Sequence, residues 1–261
     1  MRHVGLLTVR NEFDVVEQFL RNAVKYFTDI VVMDDSTDGT FERLSTPKKK
    51  RFIKHLVKFS DIYDPTGPRT DGQKQYLLEF ILRSYGPGTW VTILNADAFF
   101  GDDPNRAVEV AERERKTQVH WCTYNFYPCE HDEPDYIADP DAWLALPVQQ
   151  RLRWFYHHQF KETLQFKLAS GMKYNVKRHH RIIPDGLDPK SVASILPVLL
   201  HYPLRSPGQI VARRDDRLLT GFRKDSYYQP FIEHGGFVRP DMPMWPYLKR
   251  WDDAGIQLPS F

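Results

Sequence analysis

The stretch "HVGLLTVRNEFDVVEQFLRNAVKYFTDIVVMDD", residues 3 to 35, decides the fold. Its first seven residues form a compact apolar run, which is typical of a buried strand. Residues 11–27 then repeat apolar side chains at helical spacing, with acidic residues in the first turns. Residues 29–35 begin with a second short apolar run. A strand, a helix and a second strand in this order predict a right-handed βαβ unit and a parallel sheet.

The α/β pattern continues to about residue 125. A basic loop leading into a strand is expected at 46–58, an amphipathic helix at 73–86, and another buried strand at 89–94. A helix-capping pair, Asp103-Pro104, precedes a further helix, and a strand is expected at 117–128. These elements predict a central, mostly parallel sheet flanked by helices.

The second half has a weaker pattern. We expect an acidic loop at 129–143, a helix at 148–160, short strands at 164–169 and 174–184, and a helix capped by Ser206. No linker or repeat interrupts the sequence. It therefore predicts one domain over residues 1–261, with an α/β half at 1–125 and a mixed half at 126–261.

Composition excludes several classes of protein. Thirty-six basic and 34 acidic residues nearly cancel, so no global charge favours nucleic acid or membranes. Two cysteines match neither a disulfide framework nor a zinc motif, which favours a reducing compartment. No signal peptide is visible, and no apolar run approaches the roughly 18 residues of a membrane span. We expect a soluble, cytoplasmic protein.

Polar segments follow the first two predicted strands: "TVRNE" at 8–12 and "DDSTDGT" at 34–40. Ligands of open α/β sheets bind at such carboxyl ends of strands. Neither a G-x-G-x-x-G nor a P-loop motif is present, which argues against dinucleotide oxidoreductases and P-loop enzymes. Asp side chains at this place can accept hydrogen bonds from a ribose or a base. The simpler alternative is a turn that caps the next helix.

Two further segments carry possible metal or phosphate ligands. Asn95 and Asp97 follow a buried strand, and alternation along an extended chain would direct both to one side. Two oxygen ligands suit Mg²⁺ or Mn²⁺, although a turn ending the strand is the simpler alternative. In "HYPLRS", His201 can ligate a metal and Arg205 can hold a phosphate, but a lone His is more often a core residue.

Taken together, these segments resemble the family 2 glycosyltransferases with the GT-A fold. Residues 9–12 match the family's V-x-N-E, and residues 34–40 match its DD-x-S-x-D-G-T without the usual glycine. Residues 90–97 resemble a strand ending in D-x-D, and residues 201–209 resemble H-Y-x-x-R-S-x-x-Q. The resemblance covers residues 3 to 100 well and 176 to 212 moderately. It implies a GT-A-like (Rossmann-like) sheet with a nucleotide-sugar-binding half and a C-terminal acceptor-binding half.

The resemblance implies transfer of a sugar from a UDP-sugar donor to an acceptor hydroxyl. The metal, Mn²⁺ or Mg²⁺, would be held by Asp97, Asn95 and His201. Asn95 replaces the family's usual first Asp and Ala98 replaces a frequent Glu, so weaker metal binding is expected. The implied donor-binding residues are Thr8, Arg10, Asn11, Asp34, Asp35, Arg69, Asp71, Lys74, Asn95, Ala96 and Arg205.

The catalytic base and the acceptor are less defined. An inverting transfer, the expected stereochemistry, needs a carboxylate or His near the acceptor hydroxyl. Asp185 and His180 are favoured over Asp132, Glu133 and His179. The expected acceptor is a saccharide or glycoconjugate, and the alternative is a hydroxymethylated base in viral DNA. Competing interpretations are a nucleotidyltransferase on a similar sheet and a degenerate, non-catalytic nucleotide-sugar-binding module.

Overall fold

A computed structural model describes residues 2–49, 51–63, 72–174, 183–219 and 225–251. Four of the residues named above, Arg69, Asp71, His179 and His180, lie outside the described residues. In the described part of the chain, no helix is long and apolar enough to cross a membrane.

Strands and helices alternate through the first hundred residues and mix thereafter. The strands are β1 (His3–Val9), β2 (Asp29–Asp34), β3 (Ile53–Lys58), β4 (Trp90–Leu94), β5 (Ala98–Phe100), β6 (Gln118–Tyr127), β7 (Trp154–Lys167), β8 (Val198–His201) and β9 (Lys249–Arg250). The α-helices are α1 (Val16–Ala23), α2 (Thr40–Leu44), α3 (Gly72–Tyr85), α4 (Pro104–Arg113), α5 (Glu133–Ala138), α6 (Pro140–Ala145), α7 (Val148–Arg151), α8 (Pro207–Leu219) and α9 (Gln229–Glu233). Short 3-10 helices span Phe59–Asp61, Asp225–Tyr227 and Trp245–Tyr247.

The strand order of the sheet is β3-β2-β1-β4-β7-β6-β8-β5, and β9 pairs with β7. The first four strands are parallel, which confirms the predicted βαβ start. Val9 pairs with Asp34 and Leu7 with Leu94, so β1, β2 and β4 end at one edge of the sheet. Strand order reverses between β1 and β4, because β2 and β3 lie on one side of β1 and β4 on the other. In open α/β sheets this switch point is the usual ligand site.

The sheet is mixed, whereas the sequence predicted a mostly parallel one. β7 runs antiparallel to β4, with Val91 opposite Phe166. Antiparallel pairing also joins β7 to β9. The α/β class is therefore as predicted, but the parallel part described here is the four-stranded set β3-β2-β1-β4.

Two predicted elements of the second half are wrong. The expected helix at 148–160 is the four-residue α7 followed by the start of β7. The expected acidic loop at 129–143 contains α5 and α6, each with a proline in its first turn. The Asp139 carboxylate caps α6 by accepting from the Ala142 N–H at 2.9 Å. This is the same Asp-Pro device that correctly predicted α4.

The chain divides into two compact units. The first consists of Met1–Cys122 and Phe160–Leu199, and the second of Thr123–Gln159 and Leu200–Ser260. The parallel strands β1 to β4 and the helices α1 to α4 belong to the first unit. Helices α5 to α9 belong to the second. The functional division into halves at residue 125 stays a prediction.

A buried polar network joins five elements of the first unit, namely β1, β4, β6, β7 and α4. His3 of β1 is 2% exposed, and its ring nitrogens contact Asn105 Oδ1 of α4 at 2.7 Å and Thr92 Oγ1 of β4 at 2.6 Å. Gln165 of β7 accepts from the Trp121 indole N–H at 2.9 Å. Burial lowers the pKa of His3 to about 4, so this ring is neutral at pH 7. The network fixes β1 and β4 beside each other without a buried charge.

Candidate functional site

Residues 8–12 and 34–40, here called the strand-end cluster, follow β1 and β2 and are hydrogen-bonded to each other. The Asn11 N–H donates to Ser36 Oγ at 2.8 Å, and Asn11 Oδ1 accepts from the Thr37 N–H at 2.8 Å. Asn11 has a φ of 54°, a left-handed conformation that Asn tolerates better than most residues. This one side chain therefore connects the two loops.

Further bonds extend the connection to the start of α2. The Glu12 N–H donates to Thr40 Oγ1 at 3.1 Å, and the Phe13 N–H donates to Asp38 Oδ2 at 3.1 Å. Asp38 Oδ1 accepts from both the N–H and the hydroxyl of Thr40. Since these backbone groups are engaged outside a helix, α1 begins at Val16 and not at residue 11 as predicted.

Asp34 is the buried carboxylate of the strand-end cluster. It ends β2 and is 2% exposed. Its Oδ1 accepts from the Ser36 N–H at 2.7 Å, whereas Oδ2 is buried and has no hydrogen-bond partner among the described residues. Burial raises the pKa of Asp34 to about 6, against the lowering effect of the Ser36 bonds. A buried carboxylate oxygen of this kind is suited to a hydroxyl or N–H of a ligand.

The other predicted donor-binding residues of the first unit have different surroundings. The Arg10 guanidinium contacts the Asp35 carboxylate at 2.6 Å and the Asp35 carbonyl at 3.0 Å. Asp35 is therefore already ion-paired. Thr8 is half-buried on β1, and the Lys74 ammonium lies 5.8 Å from the centre of the Tyr174 ring.

Asn95, Ala96 and Asp97 form a turn between β4 and β5, as the Ala98 N–H donates to the Asn95 carbonyl at 3.0 Å. The alternation expected from an extended chain does not apply in this turn. The two side chains differ in exposure: Asn95 is exposed, and Asp97 is 4% exposed. The turn interpretation of this segment is confirmed, and β5 was not predicted. Asp97 is thus a buried acidic group three residues past the end of β4.

His201, the other predicted metal ligand, belongs to the second unit, as does Asn125. Its Nδ1 contacts Asn125 Oδ1 at 2.7 Å, and Oδ1 can only accept. Nδ1 is therefore the donor of this bond. Metal-binding histidines commonly have their other nitrogen held in this way.

Arg205, a predicted phosphate ligand, is fully buried in the second unit. Its guanidinium Nη1 donates to the Tyr202 carbonyl at 3.1 Å, and its backbone N–H donates to Gln209 Oε1 at 3.0 Å. These bonds join the end of β8 to α8, which Ser206 caps by accepting from the Gln209 N–H. The predicted role of Arg205 toward phosphate stays a prediction.

The β4–β5 turn offers the kind of ligand atoms that Mn²⁺ and Mg²⁺ prefer, but too few of them to complete a site. The turn offers one carboxylate, Asp97, and one amide, Asn95, and both are oxygen donors of the kind these ions prefer. Across the described ranges, no three His, Cys, Asp or Glu side chains are grouped as a metal site. The described residues of this turn thus supply two oxygen donors, and an ion held there would need further ligands.

The candidate bases have different surroundings. Asp185 is half-buried and its N–H donates to the Lys173 carbonyl at 2.9 Å. Asp132 is also half-buried, and its Oδ2 accepts from the Cys129 N–H at 2.9 Å. Burial raises the pKa of Asp132 to about 6. His180 lies outside the described residues.

Sequence reasoning did not assign roles to the residues that organise the strand-end cluster. Ser36, Asp38 and Thr40 supply the side chains that hold the two loops together. The pattern Asp-Gly-Thr at 38–40 could have indicated the role of Asp38, because an Asp side chain commonly accepts a hydrogen bond from the backbone N–H two residues further on.

Comparison with known proteins identifies no family for this chain. No protein-family model and no curated protein matches the chain. A solved structure that matches is a protein from Bacillus anthracis assigned as a glucose-1-phosphate thymidylyltransferase, in complex with sucrose. It has 14% sequence identity and a TM-score of 0.33, over 47% of this chain and 55% of that one. The chain thus spans about half the length of this relative, and the likeness supports no functional assignment.

Proposed function

We propose that this chain is a glycosyltransferase that moves a sugar from a UDP-sugar to an acceptor hydroxyl with the help of Mn²⁺ or Mg²⁺. The observation that carries the proposal is Asp34. It is a buried carboxylate, one oxygen of which has no partner in the part of the chain that the structure describes, at the carboxyl end of a parallel strand beside the switch point of the sheet. The motif resemblance gives that oxygen its partner, the uracil or ribose of the donor.

A few of the remaining donor-site residues have hydrogen bonds that support a proposed role. Asn11 and Asp35 would hold the loop that surrounds the nucleotide, with Arg10 fixing Asp35. Asp97 would bind the metal, which would offset the negative charge that develops on the leaving diphosphate. Asn95, Ala96, Lys74, Arg69, Asp71 and Arg205 as donor contacts, His201 as a third metal ligand, and Asp185 or His180 as the base rest on the resemblance alone.

Thermal denaturation with UDP tests the donor assignment. A ligand present at 100 times its Kd stabilises the folded state by about 2.7 kcal/mol. For a chain of this size we expect a rise in Tm of several degrees with UDP, and a larger rise when Mn²⁺ is added. No rise with UDP would contradict the proposal, whereas a rise that ignores Mn²⁺ would contradict only the metal assignment.

Two alanine substitutions, of Asp97 and of an exposed aspartate, test the proposed role of Asp97 in metal binding. Asp97→Ala should remove the Mn²⁺-dependent part of the shift and lower UDP-sugar turnover by at least about 100-fold, because several kcal/mol of charge stabilisation are lost. Asp141→Ala, which removes an exposed acidic residue of α6, should change neither quantity. If UDP and Mn²⁺ bind but no UDP-sugar is ever turned over, the chain is a non-catalytic nucleotide-sugar-binding module.

A further inference from the structure

The second unit contains a cavity of about 530 Å³ that the donor-site argument does not use. Its wall is built from α5 and the residues just before it, from α6 and α7, from the start of β7, and from the last residue of β9. Cavities of about 300–1,000 Å³ are the usual size of small-molecule sites. All its lining residues belong to the second unit.

Two tryptophan rings line this cavity, and neighbouring side chains hold both. Trp143 is 5% exposed and lies edge-on to Tyr136, with 5.4 Å between the two ring centres. The Arg151 guanidinium lies 5.0 Å from the centre of the Trp143 ring. Trp154 is stacked with His131 at 4.7 Å. Rigid aromatic surfaces contact a ligand at low cost in conformational entropy.

Hydrogen-bond acceptors and donors both line the cavity. Asp132 and Asp135 supply carboxylate acceptors, and Arg153 and Arg250 supply guanidinium donors. The two arginines come from neighbouring antiparallel strands, since Arg250 pairs with Trp154. The cavity thus offers acceptors, donors and aromatic faces together.

This combination selects one class of ligand over others. An apolar ligand would find few partners, because Leu146 is the one aliphatic side chain among the described lining residues. A polyphosphate or nucleic-acid backbone would meet the Asp132 and Asp135 carboxylates. A sugar ring fits both features, since each hydroxyl donates and accepts while the C–H faces pack on aromatic rings.

We propose that this cavity binds a saccharide, through ring contacts with Trp143 and Trp154 and hydrogen bonds with Asp132, Asp135 and the arginines at its rim. The assignment of that saccharide as the acceptor of the transfer rests on the proposed function. The binding itself does not, because it requires neither nucleotide nor metal.

Binding is tested with the full chain, without nucleotide, on an array of defined neutral and acidic oligosaccharides. Oligosaccharides that bind are then titrated by calorimetry and by tryptophan fluorescence. We expect at least one oligosaccharide to bind and to change the fluorescence, because two lining residues are tryptophans. An array with no binding above background would overturn the proposal.

Neighbouring residues of β9 provide the matched control. Arg250→Ala should weaken binding roughly tenfold, the effect of losing one hydrogen bond to a charged group. Lys249→Ala, an exposed neighbour outside the cavity with the same loss of charge, should leave it unchanged. Asp135→Asn should also weaken binding. Unchanged affinity in both Arg250→Ala and Asp135→Asn would overturn the cavity assignment.

Measuring the UDP thermal shift on the same samples separates the two proposals. A UDP shift without saccharide binding contradicts the cavity proposal and leaves the transferase proposal standing. Saccharide binding without a UDP shift contradicts the transferase proposal and leaves the cavity proposal standing.

Discussion

At the scale of single residues, Asp34 combines a cost in stability with a proposed role in binding. Its pKa of about 6 lies above the ordinary value of 3.8 because the charged form is buried. The folded state therefore holds the proton more tightly than the unfolded state does. The contribution of Asp34 to the free energy of unfolding is fully present below about pH 4 and is lost as the pH rises through 6. At pH 7 the buried carboxylate is charged and destabilises the folded state by the full amount.

Asp34→Asn should consequently stabilise the protein at pH 7.5, by up to roughly 3 kcal/mol for a shift of this size, while removing UDP binding. The gain should shrink at pH 5, where Asp34 is largely protonated. Chemical denaturation at both pH values measures the gain, and a thermal shift with UDP measures binding.

Asp38→Asn is the matched control for this residue. Asp38 uses both oxygens as acceptors, from Phe13 and from Thr40, and an amide can replace only one of them. The same chemical change four residues further along should therefore destabilise the protein. Destabilisation by Asp34→Asn at pH 7.5 would show that the Asp34 carboxylate is satisfied in the folded protein.

At the scale of elements, Asn11 connects the loops after β1 and β2 through its conformation and through its side chain. Asn11→Gly keeps the positive φ and removes the amide, so it should cost about 0.5–1.5 kcal/mol for the lost bond to the Thr37 N–H, which is exposed and can bond to water instead. Asn11→Ala should cost more, because Ala also resists the left-handed conformation.

Urea denaturation of the two variants measures these costs separately. The difference between Ala and Gly reports the backbone, and the Gly variant alone reports the hydrogen bond. Equal stability of Asn11→Ala and the unchanged protein would mean that the loops are not held together through Asn11.

Several elements of the first half were predictable because their patterns are local. β1, β2, β4 and the Asp103-capped α4 each carry an apolar run or a capping pair. β7 was predicted only at its end, where the expected strand at 164–169 overlaps it, and its first residues were assigned to a helix. Leu164, Gln165 and Phe166 are all buried in succession, so the alternation that marks a half-exposed strand is absent.

The candidate site was predictable to a similar degree. The edge of the sheet followed from the strand order, and Asp34 followed from the motif resemblance. The turn at Asn95 was the simpler of the two interpretations of that segment, and the structure confirms it. The Asp34 oxygen that has no partner among the described residues depends on long-range packing, which no local pattern encodes. The cavity of the second unit depends on residues from 131 to 250, far apart in sequence.

At the scale of the whole molecule, charge bears on the choice of acceptor. Proteins that bind DNA do so largely through Lys and Arg contacts with phosphates, and this chain has a net charge of +2. We expect UDP release from a UDP-sugar to be stimulated by a saccharide acceptor and not by hydroxymethylated duplex DNA. Stimulation by that DNA, absent with unmodified DNA of the same sequence, would favour the alternative acceptor.

The division into two units has a consequence for synthesis on the ribosome. Each unit is assembled from two separate stretches of chain, with the second stretch of the first unit, Phe160–Leu199, made after the whole of Thr123–Gln159. Neither unit can acquire all its contacts when its first stretch emerges, and such long-range contacts slow folding. Residues 123–159, which carry both tryptophans of the cavity, must wait for the chain after residue 199. Release of the nascent chain before that point would leave residues 123–159 without the contacts that Leu200–Ser260 supplies to this unit.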